Sequence, residues 1–199
     1  MEPILAAMLT FSFYGFWPPN DPQGSSSDTV WAKHLRPFGP ATKANERIYR
    51  NRESNQKRQA IKNAYIRPEV KINGHQARAI GRGFATAVSN AEYIILACAI
   101  MHDHCHLVVR DNPQRPFKRM ARHLKSMATR QLREENHVPT GCEQATPWGE
   151  YNNVIYLHSP NEVRRKIQYV EMNPVKAGMK SQIAFWDFVV DYEYFLRTQ

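Results

Sequence analysis

Two histidines one residue apart, His104 and His106, and a tyrosine on a basic helix, Tyr169, are the side chains whose types and spacing suggest chemistry. On an extended backbone side chains alternate faces, so His104 and His106 point the same way, within reach of one ion. Neutral imidazole suits Zn, Mn, Fe or Ni, and with oxygen donors beside it serves Mg. His102 joins the pair only if the extended geometry begins before it; a turn at His102-Asp103 would break the phase. Cys105 faces the other way, toward the core, and is not expected to be a ligand. A His-x-His pair alone is a weak signal that also fits a surface cluster at a strand end. The apolar run over residues 93–101 and the following Leu107-Val108-Val109 set these imidazoles on a rigid scaffold, where a site would be built.

Tyr169 falls within a helix expected over residues 161–172, with Ser159 as its N-cap and Pro174 as its end. Val163, Ile167 and Val170 form the stripe to be buried. At about 100° per residue, Tyr169 lies roughly 120° off that stripe. Its same-face neighbours are Arg165, Lys166 and Asn173. Cations there would stabilise a phenolate and offset charge developing on a phosphate. Asn173 offers its carbonyl oxygen to an ion, or caps the helix, since it precedes a proline. The plain alternative for Tyr169 is an amphipathic surface tyrosine packed on a neighbouring loop.

The elements that must hold these groups follow from hydrophobic period. Residues 5–16 read as a first strand, ending in the turn-forming stretch from Trp17 to Gly24. Residues 32–63 are polar, basic and weakly periodic, and an irregular excursion with short helical pieces is expected, a basic insertion spanning about 25–68. A helix is expected over 74–90, strands over 93–101 and 104–110, a helix over 115–134, a short strand over 151–157, and an aromatic tail over 183–195 packed on the domain. The 115–134 helix carries Arg115, Lys118, Arg119, Arg122, Lys125 and Arg130, with no acidic residue before Glu134. Solvated helix faces usually mix both signs, so an all-cationic face points to a polyanion. This order implies one domain over 1–199, an α+β sandwich with a largely antiparallel sheet.

The whole-chain numbers agree. The 199 residues carry 27 Lys+Arg against 18 Asp+Glu, a net charge of +9, which favours a polyanionic partner without by itself establishing nucleic-acid binding. Cys98, Cys105 and Cys142 are too few and too irregular for a disulfide framework or a cysteine zinc site, which fits a reducing, cytoplasmic setting. The apolar residues 1–16 lack a basic n-region and are broken by Thr10 and Ser12, so neither a signal peptide nor a membrane partner is expected.

His104-Cys105-His106 with its hydrophobic strand resembles the HUH signature of single-tyrosine DNA transposases. Residues 168–178, Gln-Tyr-Val-Glu-Met-Asn-Pro-Val-Lys-Ala-Gly, look like the tyrosine helix of IS200-like and REP-associated tyrosine transposases. The opening stretch with Tyr14-Gly15-Phe16-Trp17-Pro18 is similar to the first strand and loop of some members. The resemblance implies a ferredoxin-like fold with the histidine pair on a central strand. It also implies a divalent metal, Mg or Mn, held by His104, His106 and Asn173, with Tyr169 as nucleophile. The activity implied is nicking and transfer of single-stranded or hairpin DNA through a 5′-phosphotyrosine, by a monomer or a homodimer. On this reading Arg115, Lys118, Arg119, Arg122, Lys125, Arg130, Arg165 and Lys166 contact DNA. His102-Asp103 stands where the family usually has Pro-Asn. Competing readings are a catalytically silent hairpin-binding protein and an RNA-binding module on the same scaffold, the latter lacking an aromatic sheet surface.

Overall fold

The computed structural model describes residues 3–25, 27–30, 32–43 and 51–197. Its elements run β1 (Ala6–Phe13), a 3-10 turn (Lys33–Phe38), α1 (Arg52–Asn63), α2 (Gly74–Ala91), β2 (Ile95–Ile100), β3 (His104–Arg110), α3 (Phe117–Glu134), β4 (Trp148–Leu157), α4 (Pro160–Lys176) and α5 (Tyr192–Arg197). The four strands form a sheet of order β2-β3-β1-β4, and every neighbouring pair is antiparallel. This is the ferredoxin-like arrangement, an α+β fold with β3 and its histidines in the interior of the sheet.

Each face of the sheet has its own core, which follows from the period of two along the strands. Leu9, Phe11 and Phe13 of β1 and Cys105, Leu107 and Val109 of β3 pack with Ile80 and Phe84 of α2 and Met120, Leu124 and Ala128 of α3. Met8 and Val108 point the opposite way and pack with Val163 and Val170 of α4. Helices α2 and α3 therefore cover one face and α4 the other. A third small cluster, Val30, Leu35 and Ile61, anchors the excursion.

Two expectations are corrected by the structure. The excursion holds a full twelve-residue helix, α1, rather than only short pieces. Its start is fixed by reciprocal Asn51–Ser54 capping bonds, and Ile61 supplies the one buried position that docks it. Residues 44–50 of the excursion lie outside the described residues. The second correction concerns Pro174, which does not end α4 but lies inside it, buried. A proline so near the end costs the helix only the bond to the Val170 carbonyl. The helix stops at Gly178, whose φ of 75° allows the closing bonds Met179 N–H to the Pro174 carbonyl (2.9 Å) and Gly178 N–H to the Val175 carbonyl (3.0 Å). At the other end, Ser159 and Glu162 form a capping box around Pro160.

β4 starts at Trp148, three residues earlier than its β-rich residues suggest, because Trp148 stacks on Phe13 (ring centroids 4.8 Å) across a bulge in β1. The tail packs on the domain through Trp186 and Phe188, as its aromatic content implies. Among the described residues no helix is long and apolar enough to cross a membrane.

Candidate active site and metal centre

β3 presents His104 and His106 on the α4 side of the sheet and turns Cys105 into the opposite core, as alternation requires. Burial pushes the Cys105 thiol well above its ordinary range, so it offers no thiolate to an ion. The two imidazoles stand with ring centroids 4.5 Å apart, inclined at 71°.

A partner on the protein side holds each imidazole by its Nδ1. His104 Nδ1 lies 2.7 Å from Asp103 Oδ1. Burial works to raise the Asp103 carboxyl, but the hydrogen bond from His104 and the neighbouring His104 and His102 charges outweigh it and hold it below the usual carboxylate range. An ionised carboxylate only accepts, so His104 carries its proton on Nδ1 and, when neutral, keeps a lone pair on Nε2. His106 Nδ1 lies 2.9 Å from the Thr10 hydroxyl, its cross-strand neighbour on β1. Burial first, then the His104 charge, pulls the His106 pKa down to about 3, so the ring is neutral at physiological pH. Imidazoles anchored through Nδ1 offer Nε2, in their neutral form, as donors suited to a divalent cation.

Tyr169 reaches this pair from α4. Its ring centroid is 5.5 Å from that of His106, and Lys166 Nζ stands 5.5 Å from the tyrosine ring on the same helix. Tyr169 is 44% exposed, which leaves it open to a substrate entering from solvent. A cavity of about 430 Å³ gathers His104, His106, Lys166, Tyr169 and Asn173. Because α4 continues through Pro174, Asn173 remains helical, one turn beyond Tyr169 and on the same wall. Among the described residues no three His, Cys, Asp or Glu side chains converge as a metal-binding group. The side chains of Asn173, Asn153 and Ser27 line the same cavity and bring amide and hydroxyl oxygens to it.

His102 does not join the cavity. It sits in the turn between β2 and β3, 55% exposed, with Nδ1 3.9 Å from Asp103 Oδ1. That turn breaks the alternation, and the residue before the strand that matters is Asp103. Thr10 and Asp103 are the partners of the two imidazoles that sequence reasoning passed over. Thr10 left a signal: Thr10 and Ser12 are polar residues two apart in an otherwise apolar strand, so both belong on the face of the histidines.

The predicted cations are divided. Lys166 lines the cavity, while Arg165 is exposed on α4 outside it. Lys118, Arg119, Arg122 and Arg130 are exposed on α3, with Arg115 half-buried at its start and Arg130 paired to Glu134. All of α3 lies across the sheet from the histidines. Lys125 turns inward, donating to the Gly149 carbonyl (3.2 Å) and to Asn152 Oδ1 (3.0 Å) of β4, and burial lowers its pKa to about 8.

Residues 54–171, more than half of the chain, match the family described as IS200-like transposase. No curated protein matches. A solved structure of a REP-associated tyrosine transposase bound to a REP hairpin is 13% identical, with a TM-score of 0.50 over 94% of this chain and 78% of that one. A crystallised Deinococcus radiodurans R1 protein assigned as a transposase is 12% identical over 86% of this chain and 92% of its own, with a TM-score of 0.45. The matched span takes in β3 with both histidines and α4 as far as Glu171, Tyr169 included, and the chain belongs to the IS200-like transposase family.

Proposed function

We propose that the protein is a metal-dependent single-strand DNA endonuclease and strand transferase in which Tyr169 is the nucleophile. The observation that carries this reading is the approach of Tyr169 from α4 to the anchored His104–His106 pair in one solvent-open cavity. His104, His106 and Asn173 are the residues that would hold a divalent ion, Mg or Mn. When bound, that ion polarises the scissile phosphate.

The Tyr169 phenol oxygen attacks phosphorus in line, forming a P–O bond to the tyrosine and breaking the bond to the 3′ oxygen. The phenol proton is lost and the departing 3′ oxygen gains one, leaving a 5′-phosphotyrosine and a 3′-hydroxyl. Lys166 faces the tyrosine ring and offsets negative charge as the phenolate forms. A 3′-hydroxyl from another strand reverses the step and reseals DNA, so phosphodiester energy is conserved and water is not the nucleophile.

The substrate is a hairpin with a single-stranded tail, a reading supported by the hairpin bound in the REP-associated tyrosine transposase of similar fold. The tail enters the histidine cavity past Lys166 and Arg165. The hairpin body rests on Arg115, Lys118, Arg119, Arg122 and Arg130 of α3. Since α3 and the cavity occupy opposite faces of the sheet, the DNA passes around the β4 edge, where Lys125 joins α3 to the strand.

Covalent trapping tests this. Labelled hairpin oligonucleotides with Mg²⁺ or Mn²⁺ should give a detergent-resistant adduct that is lost in Tyr169→Phe and in His104→Ala. Tight binding without an adduct across a broad hairpin library would instead mark a silent hairpin-binding protein.

A further inference from the structure

A second cavity adjoins the first, and Trp17 is a wall of both. This second space has a volume of about 60 Å³ and is walled by aromatic rings. Tyr14 and Tyr65 meet edge to face at 5.2 Å, and His34 stands 5.9 Å from Tyr65. Two polar atoms of residues in this wall, Tyr14 Oη and His34 Nε2, are buried and have no hydrogen-bond partner among the described residues. A buried polar atom left unpaired is costly, so a guest that reaches these two atoms would be favoured. Arg67, stacked over the Tyr14 ring at 4.0 Å, donates to the carbonyls of Gly141 and Thr146.

Trp17 itself is held in an unusual state. Its φ of 56° lies in the left-handed region, which is strained for a bulky side chain. The segment after it is fixed by Pro18-Pro19 and by buried Asn20, whose amide donates to the Leu35 carbonyl at 2.7 Å, and Asp21, paired with Arg58. Despite this rigid support the indole is 54% exposed. The fold thus spends backbone strain to keep a large flat apolar ring open at the lip of the reactive cavity.

We propose that this aromatic pocket takes the unpaired pyrimidine base of the nucleotide adjoining the scissile phosphate, stacked on Trp17 and hydrogen-bonded at its edge by Tyr14 Oη and His34 Nε2. The inference rests on the reading of the histidine cavity as the cutting site, since the shared Trp17 wall sets the pocket beside it. Aromatic stacking accepts any base face, and the two polar atoms supply the discrimination. One water needs roughly 10–15 Å³ of such space. About 60 Å³ thus holds a handful of waters, a small space that favours one ring over a fused pair.

The test uses the full chain and hairpin oligonucleotides whose tail carries, at each position flanking the nick in turn, a pyrimidine, a purine or an abasic residue. Binding is read by fluorescence anisotropy without metal, and adduct formation separately with Mn²⁺. At one flanking position the abasic residue should weaken wild-type binding about tenfold, with a purine intermediate. Trp17→Leu should erase that penalty and Trp17→Phe retain most of it. Tyr14→Phe and His34→Gln, with melting temperatures as controls for folding, should flatten the preference between pyrimidine and purine. An abasic penalty absent at every position, or unchanged in Trp17→Leu, overturns the pocket. A penalty that persists while no adduct forms overturns the cutting mechanism and leaves the pocket standing.

Discussion

The Asp103 carboxylate accepts the Nδ1 proton of its neighbour His104 at 2.7 Å, so a turn residue decides which nitrogen of the histidine faces the cavity. Thr10 sits at the same Nδ1 position of His106, from the adjoining strand. The two anchors differ in charge, and this makes the first prediction.

Asp103→Ala frees the His104 ring and removes the charge that favours its metal-binding tautomer. Mn²⁺ affinity, measured by calorimetry, should fall about 10–100-fold. His102→Ala should change it less than twofold, because His102 stands outside the cavity. Equal losses in both variants would mean that the turn as a whole, and not the Asp103–His104 bond, sets the site.

Exposed cations on α3 predict a salt signature. Arg119→Ala and Arg122→Ala should weaken hairpin binding at low salt and each lower the slope of log affinity against log salt by about 0.7–0.9. With hairpin at saturation the yield of covalent adduct should be unchanged. Slopes equal to wild type would move the hairpin off α3.

Lys125 gives stability a pH dependence. Its folded pKa is about 8, below the ordinary lysine value, so between pH 8 and 10 the unfolded chain holds a proton that the folded chain has released. Stability contributed by this group therefore rises with pH across that window. Lys125→Met removes the effect. Its stability relative to wild type, from urea denaturation, should be about 2 kcal/mol more favourable at pH 7 than at pH 10. A difference independent of pH would show that Lys125 keeps its proton in the fold.

Gly83 marks the closest approach of α2 to α3. A Cβ there would lie 2.5 Å from the Ala128 Cα and 2.7 Å from its backbone nitrogen, and backbone cannot swing aside. Gly83→Ala should destabilise the protein by about 1–3 kcal/mol, since overpacking outweighs the gain in helix propensity. A thermal melt at or above the wild-type value would show that the two helices separate without cost.

Much of this was decided locally and could be read from the chain. The alternation that sends His104 and His106 one way and Cys105 the other is a property of any extended backbone. The stripe of Val163 and Val170 that leaves Tyr169 on a different face is likewise a property of any helix of this sequence. Capping at Ser159 is local too. What only the tertiary structure decided depends on contacts between distant residues or on a contest between local preference and packing. Thr10 anchors His106 across 96 residues because β1 pairs with β3, and no local pattern sets that register. Pro174 disfavours helix locally, yet burial on the α4 side outweighs one missing backbone bond, and Asn173 stays on the cavity wall as a result. The α3 cations look in sequence like neighbours of the site. The two crossovers β1-α2-β2 and β3-α3-β4 turn with the same hand, so both helices lie on one face and α4 closes the other. The basic helix and the histidine pair are thus held apart by the thickness of the sheet.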